Sequence, residues 1–289
     1  MTDRYRLGAA CAVVAAFVNI QYASTHAQGT RAGGAAQRTP SAPKYTITVM
    51  PPGGPPPRLP DGHIDLSGHW LPNSAGQGVS GRDGVDPAAR RQFDPKMTPE
   101  PEPAFQPWAA EKIRNMTPVE RELAKSSVNC MPRGLPAIWL QNPYSTVIVH
   151  TPTMMAQLYE VLNNWRLVYT DGRPVPKDPE PWVHGTSTTH WEGDTLVVNS
   201  FGFDERTYVM PTGWFHSDVM KVTERYTRPS KNYLIVQITV DDPKVLTKPW
   251  TSAPRRWTLG NGEVYEFYCT NNHELDELGK LKEQESYGK

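Results

Sequence analysis

Thr186-Ser187-Thr188-Thr189-His190-Trp191-Glu192-Gly193-Asp194-Thr195-Leu196-Val197-Val198-Asn199 is the stretch whose reading decides the fold. Its two arms, Thr186 to Trp191 and Thr195 to Asn199, are rich in β-branched and apolar residues. Between them Glu192-Gly193-Asp194 forms a tight turn, in which Gly193 takes the positive φ that other residues avoid. Further strands lie on either side. Thr146 to His150 is β-branched and apolar, and Arg166 to Thr170 alternates before Asp171-Gly172, a strong turn dipeptide. Val219 to Thr227 and Tyr233 to Asp241 read as two strands joined by Pro229-Ser230-Lys231-Asn232. Arg255 to Leu259 and Glu263 to Cys269 read as a hairpin around Gly260-Asn261-Gly262. Leu158, Val161, Leu162 and Trp165 have helical spacing, but their flanks are strand-like and the segment is read as strand.

The 29 prolines and 22 glycines spread along the chain argue against long helices. Pro107 to Lys125 is the helical candidate. Trp108, Ile113, Met116, Val119 and Leu123 keep a loose helical period that Pro118 breaks, giving two short helices on the outside of a sheet. Short strands at regular spacing with punctuating turns make the chain all-β. The expected architecture is an antiparallel barrel of about eight to ten strands with short peripheral helices, and a β-sandwich is the alternative.

The first sixty residues have a different character. Arg4 and Arg6 precede an apolar run of about fourteen residues, Leu7 to Ile20, and the small residues around Ala27 follow. That order is the order of a secretory signal peptide, residues 1–27, and the run is shorter than the roughly twenty residues a membrane span needs. Gly8 stands where a lipobox carries Leu, and Cys11 comes too early for lipidation. Residues 28–60 are rich in Gly, Ala, Ser, Thr and Pro, and end near Pro51-Pro52-Gly53-Gly54-Pro55-Pro56-Pro57. Such a stretch buries too little apolar surface to offset its chain entropy, so a disordered tether is expected, with a single domain over 61–289. No later segment is apolar enough to span a bilayer, and a periplasmic or secreted location follows.

The 30 basic and 30 acidic residues cancel, and no basic stripe interleaved with aromatics is present, which leaves nucleic-acid binding without electrostatic support. Of three cysteines, Cys11 leaves with the signal peptide. Cys130 and Cys269 then form one disulfide in an oxidising compartment. Neither has a CxxC neighbour, so redox and zinc chemistry are not expected.

Asp65-Leu66-Ser67-Gly68-His69-Trp70 resembles the Gly-x-Trp start of lipocalin-like barrels, in which the tryptophan packs across the closed end. A second resemblance covers roughly Asp65 to Asn272. Trp191 to Val198 (WEGDTLVV), Arg166 to Arg173 (RLVYTDGR), Glu224-Arg225-Tyr226, Asp241-Asp242-Pro243, Lys248-Pro249-Trp250, Cys130-Met131-Pro132-Arg133-Gly134 and Cys269 look like a family of mostly uncharacterised exported bacterial proteins. The resemblance implies no common reaction. Some relatives are linked to catabolism of lignin-derived aromatic dimers, including opening of a phenylcoumaran ether ring.

A barrel of this size encloses a cavity for one small ligand, so polar residues on inward faces become candidates. Glu224 leads, because Met220, Val222, Glu224 and Tyr226 share one face while Lys221, Thr223 and Arg225 share the other. Burial on the apolar face would raise its pKa and suit it to general acid or base work. The structural alternative is a buried ion pair with Arg166 or Arg173. His190 and His216 are further candidate proton carriers, with His216 on a loop over the barrel mouth, and His150 ends an apolar strand. Arg166 or Arg225 would stabilise developing oxyanion charge. Tyr159, Trp191, Trp214 and Phe215 are candidates for substrate contact. Trp214-Phe215, in a loop flanked by Gly and Pro, is expected to be exposed or to line the cavity, while most other aromatics are expected in the core. Glu192, Asp194, Asp171 and Arg173 read as turn chemistry.

No HExxH, His-x-His, GxSxG, phosphate loop or dinucleotide fingerprint is present, and no metal or cofactor is expected. Chemistry is thereby directed to cofactor-free proton transfer: a C–O lyase or isomerase acting on a small hydrophobic or aromatic compound. The alternatives are a non-catalytic barrel that binds a hydrophobic ligand and an envelope-associated structural protein.

Overall fold

The computed structural model describes residues 51–72, 101–126, 128, 130–140, 144–261, 264–266, 269 and 272–287, all within one compact unit, Ile47–Lys289. The expected signal peptide and the tether up to residue 50 lie outside the described residues.

Twelve strands follow one another along the chain: β1 Gly68–Pro72, β2 Thr146–Thr151, β3 Met154–Tyr159, β4 Asn164–Tyr169, β5 Thr186–Glu192, β6 Thr195–Phe201, β7 Tyr208–Met210, β8 Trp214–Phe215, β9 Lys221–Ser230, β10 Tyr233–Asp241, β11 Trp250–Thr251 and β12 Arg255–Leu259. Ten of them form one sheet in the order β4-β3-β2-β1-β12-β10-β9-β6-β5, with β11 added to β10. β7 and β8 form a separate ribbon. Every ladder in the large sheet is antiparallel, and the sheet curls into a nearly closed lipocalin-like barrel. The hairpin of β5 and β6 pairs Glu192 with Thr195 across the expected turn, and Gly193 has φ 59°.

Alternation along each strand separates core from surface. In β9, Val222, Glu224, Tyr226 and Arg228 are buried, while the residues between them are less so. Trp70 on β1 is fully buried, and its Nε1 donates to Leu66 O at 3.0 Å. The Arg228 guanidinium lies 4.8 Å from its ring centroid and donates to Asp65 O and Ser67 O at 2.6 and 2.9 Å. This plug ties the first strand to the end of β9.

Helices are few. α1 (Pro107–Asn115) and α2 (Pro118–Leu123) are the two short helices expected from Pro118. A capping box at α2 stops the first helix and starts the second: Thr117 Oγ1 accepts from Glu120 N–H, and a Glu120 carboxylate oxygen accepts from Thr117 N–H. α3 (Ala137–Leu140) is one buried turn that carries Trp139 into the core.

Three expectations are corrected. Arg255–Leu259 forms no hairpin with the segment after it, because β1 and β10 already occupy its two edges, and Val264 to Glu266 adopts no strand. The folded part begins before Asp61. Asn232 N–H and Lys231 N–H donate to Pro52 O and Gly54 O, and Arg58 bridges to Ile64, so residues 51–60 dock on the β9–β10 turn. A sixteen-residue helix, α4 (Asn272–Tyr287), closes the described chain despite the overall proline and glycine content, which is not local to that segment.

The Cys130–Cys269 disulfide joins residues separated by 139 positions. On the chain-entropy account, closing so long a loop stabilises the fold by roughly 4 kcal/mol. Urea denaturation with and without a phosphine reductant is expected to show that loss, and coincident curves would contradict it.

Candidate functional site

Within the apolar core runs a chain of hydrogen-bonded polar side chains. Glu224 on β9 is completely buried and accepts from Arg166 Nη1 on β4 at 2.7 Å. The Tyr226 hydroxyl donates to the other carboxylate oxygen of Glu224 and accepts from Gln157 Nε2 at 2.9 Å. Gln157 Oε1 accepts from the Tyr159 hydroxyl at 2.6 Å. The second terminal nitrogen of Arg166 donates to Ser187 Oγ on β5 and Ser200 Oγ on β6, both at 2.8 Å. Trp139 stands edge-on against Tyr159, Tyr226 and Trp257. Burial works against the charge of Arg166, but Glu224 and the two phenols beside it outweigh burial and hold its pKa above the ordinary value. Burial, reinforced by Glu224, pushes the Tyr226 phenol well up, and Tyr159 moves the same way.

The sheet does not close by a ladder. No backbone hydrogen bond joins β4 to β5 among the described residues. The seam is crossed instead by side chains: Arg166 reaching Ser187, and Thr189 Oγ1 donating to Tyr169 O at 3.0 Å. Along this seam runs a cleft of about 950 Å³. β4, β5 and the loop between them supply its walls, among them Trp165, Leu167, Tyr169, Pro176, Pro181 and Trp182. Trp165 and Trp182 are 62% and 63% exposed, unusual values for tryptophan. Arg173 lies 3.6 Å from the Tyr169 ring centroid and forks onto Asp171.

Arg166, Asn164 and His184 are the buried polar residues that line this cleft. Asn164 Nδ2 donates to Arg133 O, and Asn164 Oδ1 accepts from Trp165 N–H, which fixes the orientation of the amide. His184 Nε2, 3.0 Å from Asn164 Oδ1, therefore carries a proton and donates it, leaving Nδ1 with a lone pair. Burial, with the charge of Arg166 adding to it, pulls the His184 pKa down to about 3.

The sequence candidates are dispersed. Arg166 lines the cleft and pairs with Glu224, the first of the two arginines named for a buried ion pair. Glu224 and Tyr159 lie inside the barrel, within the hydrogen-bonded chain. His190 is exposed on the outer face beside Glu192, which also holds Arg225 at 2.6 Å. His216 does not sit at a mouth. It is buried against Phe203, with Nε2 2.9 Å from Thr207 Oγ1 and Nδ1 3.1 Å from Ser217 O. Trp191 is half-buried and stacks on His63 at 4.3 Å. Trp214 is buried in an aromatic cluster with Phe105 and Trp250, and Phe215 packs under Trp108 and Lys112 Nζ. Trp139 and Tyr159 are core as expected, but Trp214 is core as well, while Trp182 is exposed and Trp165 is exposed because outward positions of β4 alternate with Arg166 and Val168.

His184, Asn164, Gln157 and Tyr226 were missed as candidates. The inward parity of Tyr226 with Glu224 was a usable signal. His184, in Pro181-Trp182-Val183-His184-Gly185, carries no local pattern that distinguishes it. Among the described residues no three His, Cys, Asp or Glu side chains are grouped to hold a metal ion. Compared with protein-family models, curated proteins and solved structures, the chain finds no match.

Breaking one partner of a buried ion pair leaves an uncompensated charge. Arg166→Met is expected to cost about 3–5 kcal/mol, and adding Glu224→Gln to recover much of it. A urea double-mutant cycle checks this, and strictly additive losses would contradict it. His150, His184 and His216 are all held below their ordinary pKa, chiefly by burial. The unfolded chain therefore binds more protons below about pH 6.5, and stability is complete above that pH and lost as pH falls towards the folded values. Each histidine contributes up to about 1.4 kcal/mol per pH unit, so the urea midpoint is expected to drop between pH 7.5 and 5.

Proposed function

We propose that this chain is an exported binding protein that holds a small planar hydrophobic or aromatic molecule in the cleft at the β4–β5 seam. The observation that carries this reading is the pair of exposed tryptophans, Trp165 and Trp182, lining one cleft. Exposed aromatic surface is disfavoured in water, and where it lines a concavity with a few polar groups it marks a ligand site. The cleft's volume of about 950 Å³ lies at the upper end of the range for small-molecule sites.

The catalytic alternative, a cofactor-free lyase or isomerase, needs an acid and a base on the same ligand. Of Glu224, His190 and His216, none lines the cleft, and His184, which does, is too weak a base near neutral pH. These features favour holding a ligand over transforming it. Export is supported by the Arg4–Ala27 leader pattern and by the Cys130–Cys269 disulfide, which persists in oxidising compartments. Among the described residues no helix is long and apolar enough to cross a membrane.

Isothermal titration of the protein with 2-naphthol tests the reading. Saturable one-to-one binding is expected, with Trp165→Ala and Trp182→Ala each weakening it about tenfold, in keeping with roughly 1.4 kcal/mol for a lost aromatic contact. Binding unchanged in both variants would refute the cleft as the site.

A further inference from the structure

Two residues that line the cleft each carry a buried polar atom with no partner among the described residues: His184 Nδ1 and Arg166 Nε. The first is a bare lone pair, because Asn164 has fixed the proton on Nε2. The second is an N–H, because a guanidinium offers only donors. Each such orphan is costly to keep, and a native fold that keeps two at one cleft calls for an explanation.

One small group answers both. A hydroxyl donates one hydrogen bond and accepts another through a single oxygen. An ether accepts only, and a carboxylate accepts only and adds a negative charge facing the lone pair of His184. The positive charge of Arg166 gives a carboxylate little compensation, since Glu224 already neutralises it at 2.7 Å. We propose that the cleft selects a neutral hydroxyl-bearing aromatic ligand, whose O–H donates to His184 Nδ1 and whose oxygen accepts from Arg166 Nε–H. This rests on the binding reading of the cleft and adds the class of ligand.

The seam makes the contact reachable. Both atoms are sealed from solvent, so a ligand meets them only where the barrel wall parts. β4 and β5 are the neighbours that part without breaking a ladder. Parting them loosens the Arg166–Ser187 bond across the seam, while Glu224 on β9 and Ser200 on β6 keep the guanidinium in place. The depressed pKa of His184 is consistent with this role, because a histidine that stays neutral keeps its lone pair on offer across the physiological range.

The test compares 2-naphthol, 2-methoxynaphthalene and 2-naphthoate on the full chain by isothermal titration at pH 7. 2-Naphthol is expected to bind at least about tenfold more tightly than either analogue, because the analogues leave His184 Nδ1 unpaired. In His184→Leu that preference is expected to disappear while the affinity for 2-methoxynaphthalene is retained. The ¹⁵N resonance of His184 Nδ1 is expected to move upfield with 2-naphthol and not with 2-methoxynaphthalene, a signature that a merely structural histidine would not give. If His184→Leu does not fold, the three probes and the resonance on the unaltered protein decide the matter. Equal affinities overturn the hydroxyl contact and leave the binding reading standing. Tighter binding of 2-naphthoate overturns it in favour of an anion site at Arg166. Binding of none of the three removes the binding reading itself, and the hydroxyl contact with it.

Discussion

The buried pairing of Arg166 with Glu224 governs how this barrel closes. Moving two such charges out of water costs several kcal/mol for each, and their attraction offsets that only where every remaining donor and acceptor is also served. Here Glu224 receives Arg166 and the Tyr226 hydroxyl, while Arg166 also reaches Ser187 and Ser200 and leaves its Nε without a partner among the described residues. These residues stand on β4, β5, β6 and β9, so one guanidinium connects strands that the backbone leaves unconnected at the β4–β5 seam. Without that bridge the seam would be held across the strands by little more than the Thr189 hydroxyl.

Aromatic side chains pack close to this arrangement. Trp139, Tyr159, Tyr226 and Trp257 are completely buried, with Trp139 edge-on to the other three. A cleft lies at the seam, where the outward side chains of β4 and the proline-rich loop before β5 form walls. Arg166 thereby belongs to both: its Nη1 holds Glu224, and the residue lines the cleft.

Much of the fold was legible because its signals are local. The β5–β6 turn depends on Gly193, the break between α1 and α2 on Pro118 and the Thr117–Glu120 box, and the inward face of β9 on strict alternation through Glu224. What failed was pairing. Arg255–Leu259 was recognisable as a strand, but its partners are β1 and β10, far away in sequence, and no turn signal reveals that. The docking of residues 51–60 fails for the same reason, since prolines that bury little on their own still accept hydrogen bonds from the β9–β10 turn.

The sequence by itself determined that the chain is all-β, that β5–β6 and β9–β10 are hairpins, that Cys130 and Cys269 pair, and that Glu224 faces inward with an arginine at hand. All of these follow from two-residue periodicity, turn chemistry and cysteine count, which act over a few neighbours or over composition. Only the tertiary structure decided that Trp165 and Trp182 stand outside while Trp214 is core, that His184 joins Arg166 at one cleft, and that His190 and His216 do not. The physical reason is that strand alternation assigns residues to two faces without saying which surfaces meet. The place where the barrel fails to close is set by the pairing order of the whole sheet.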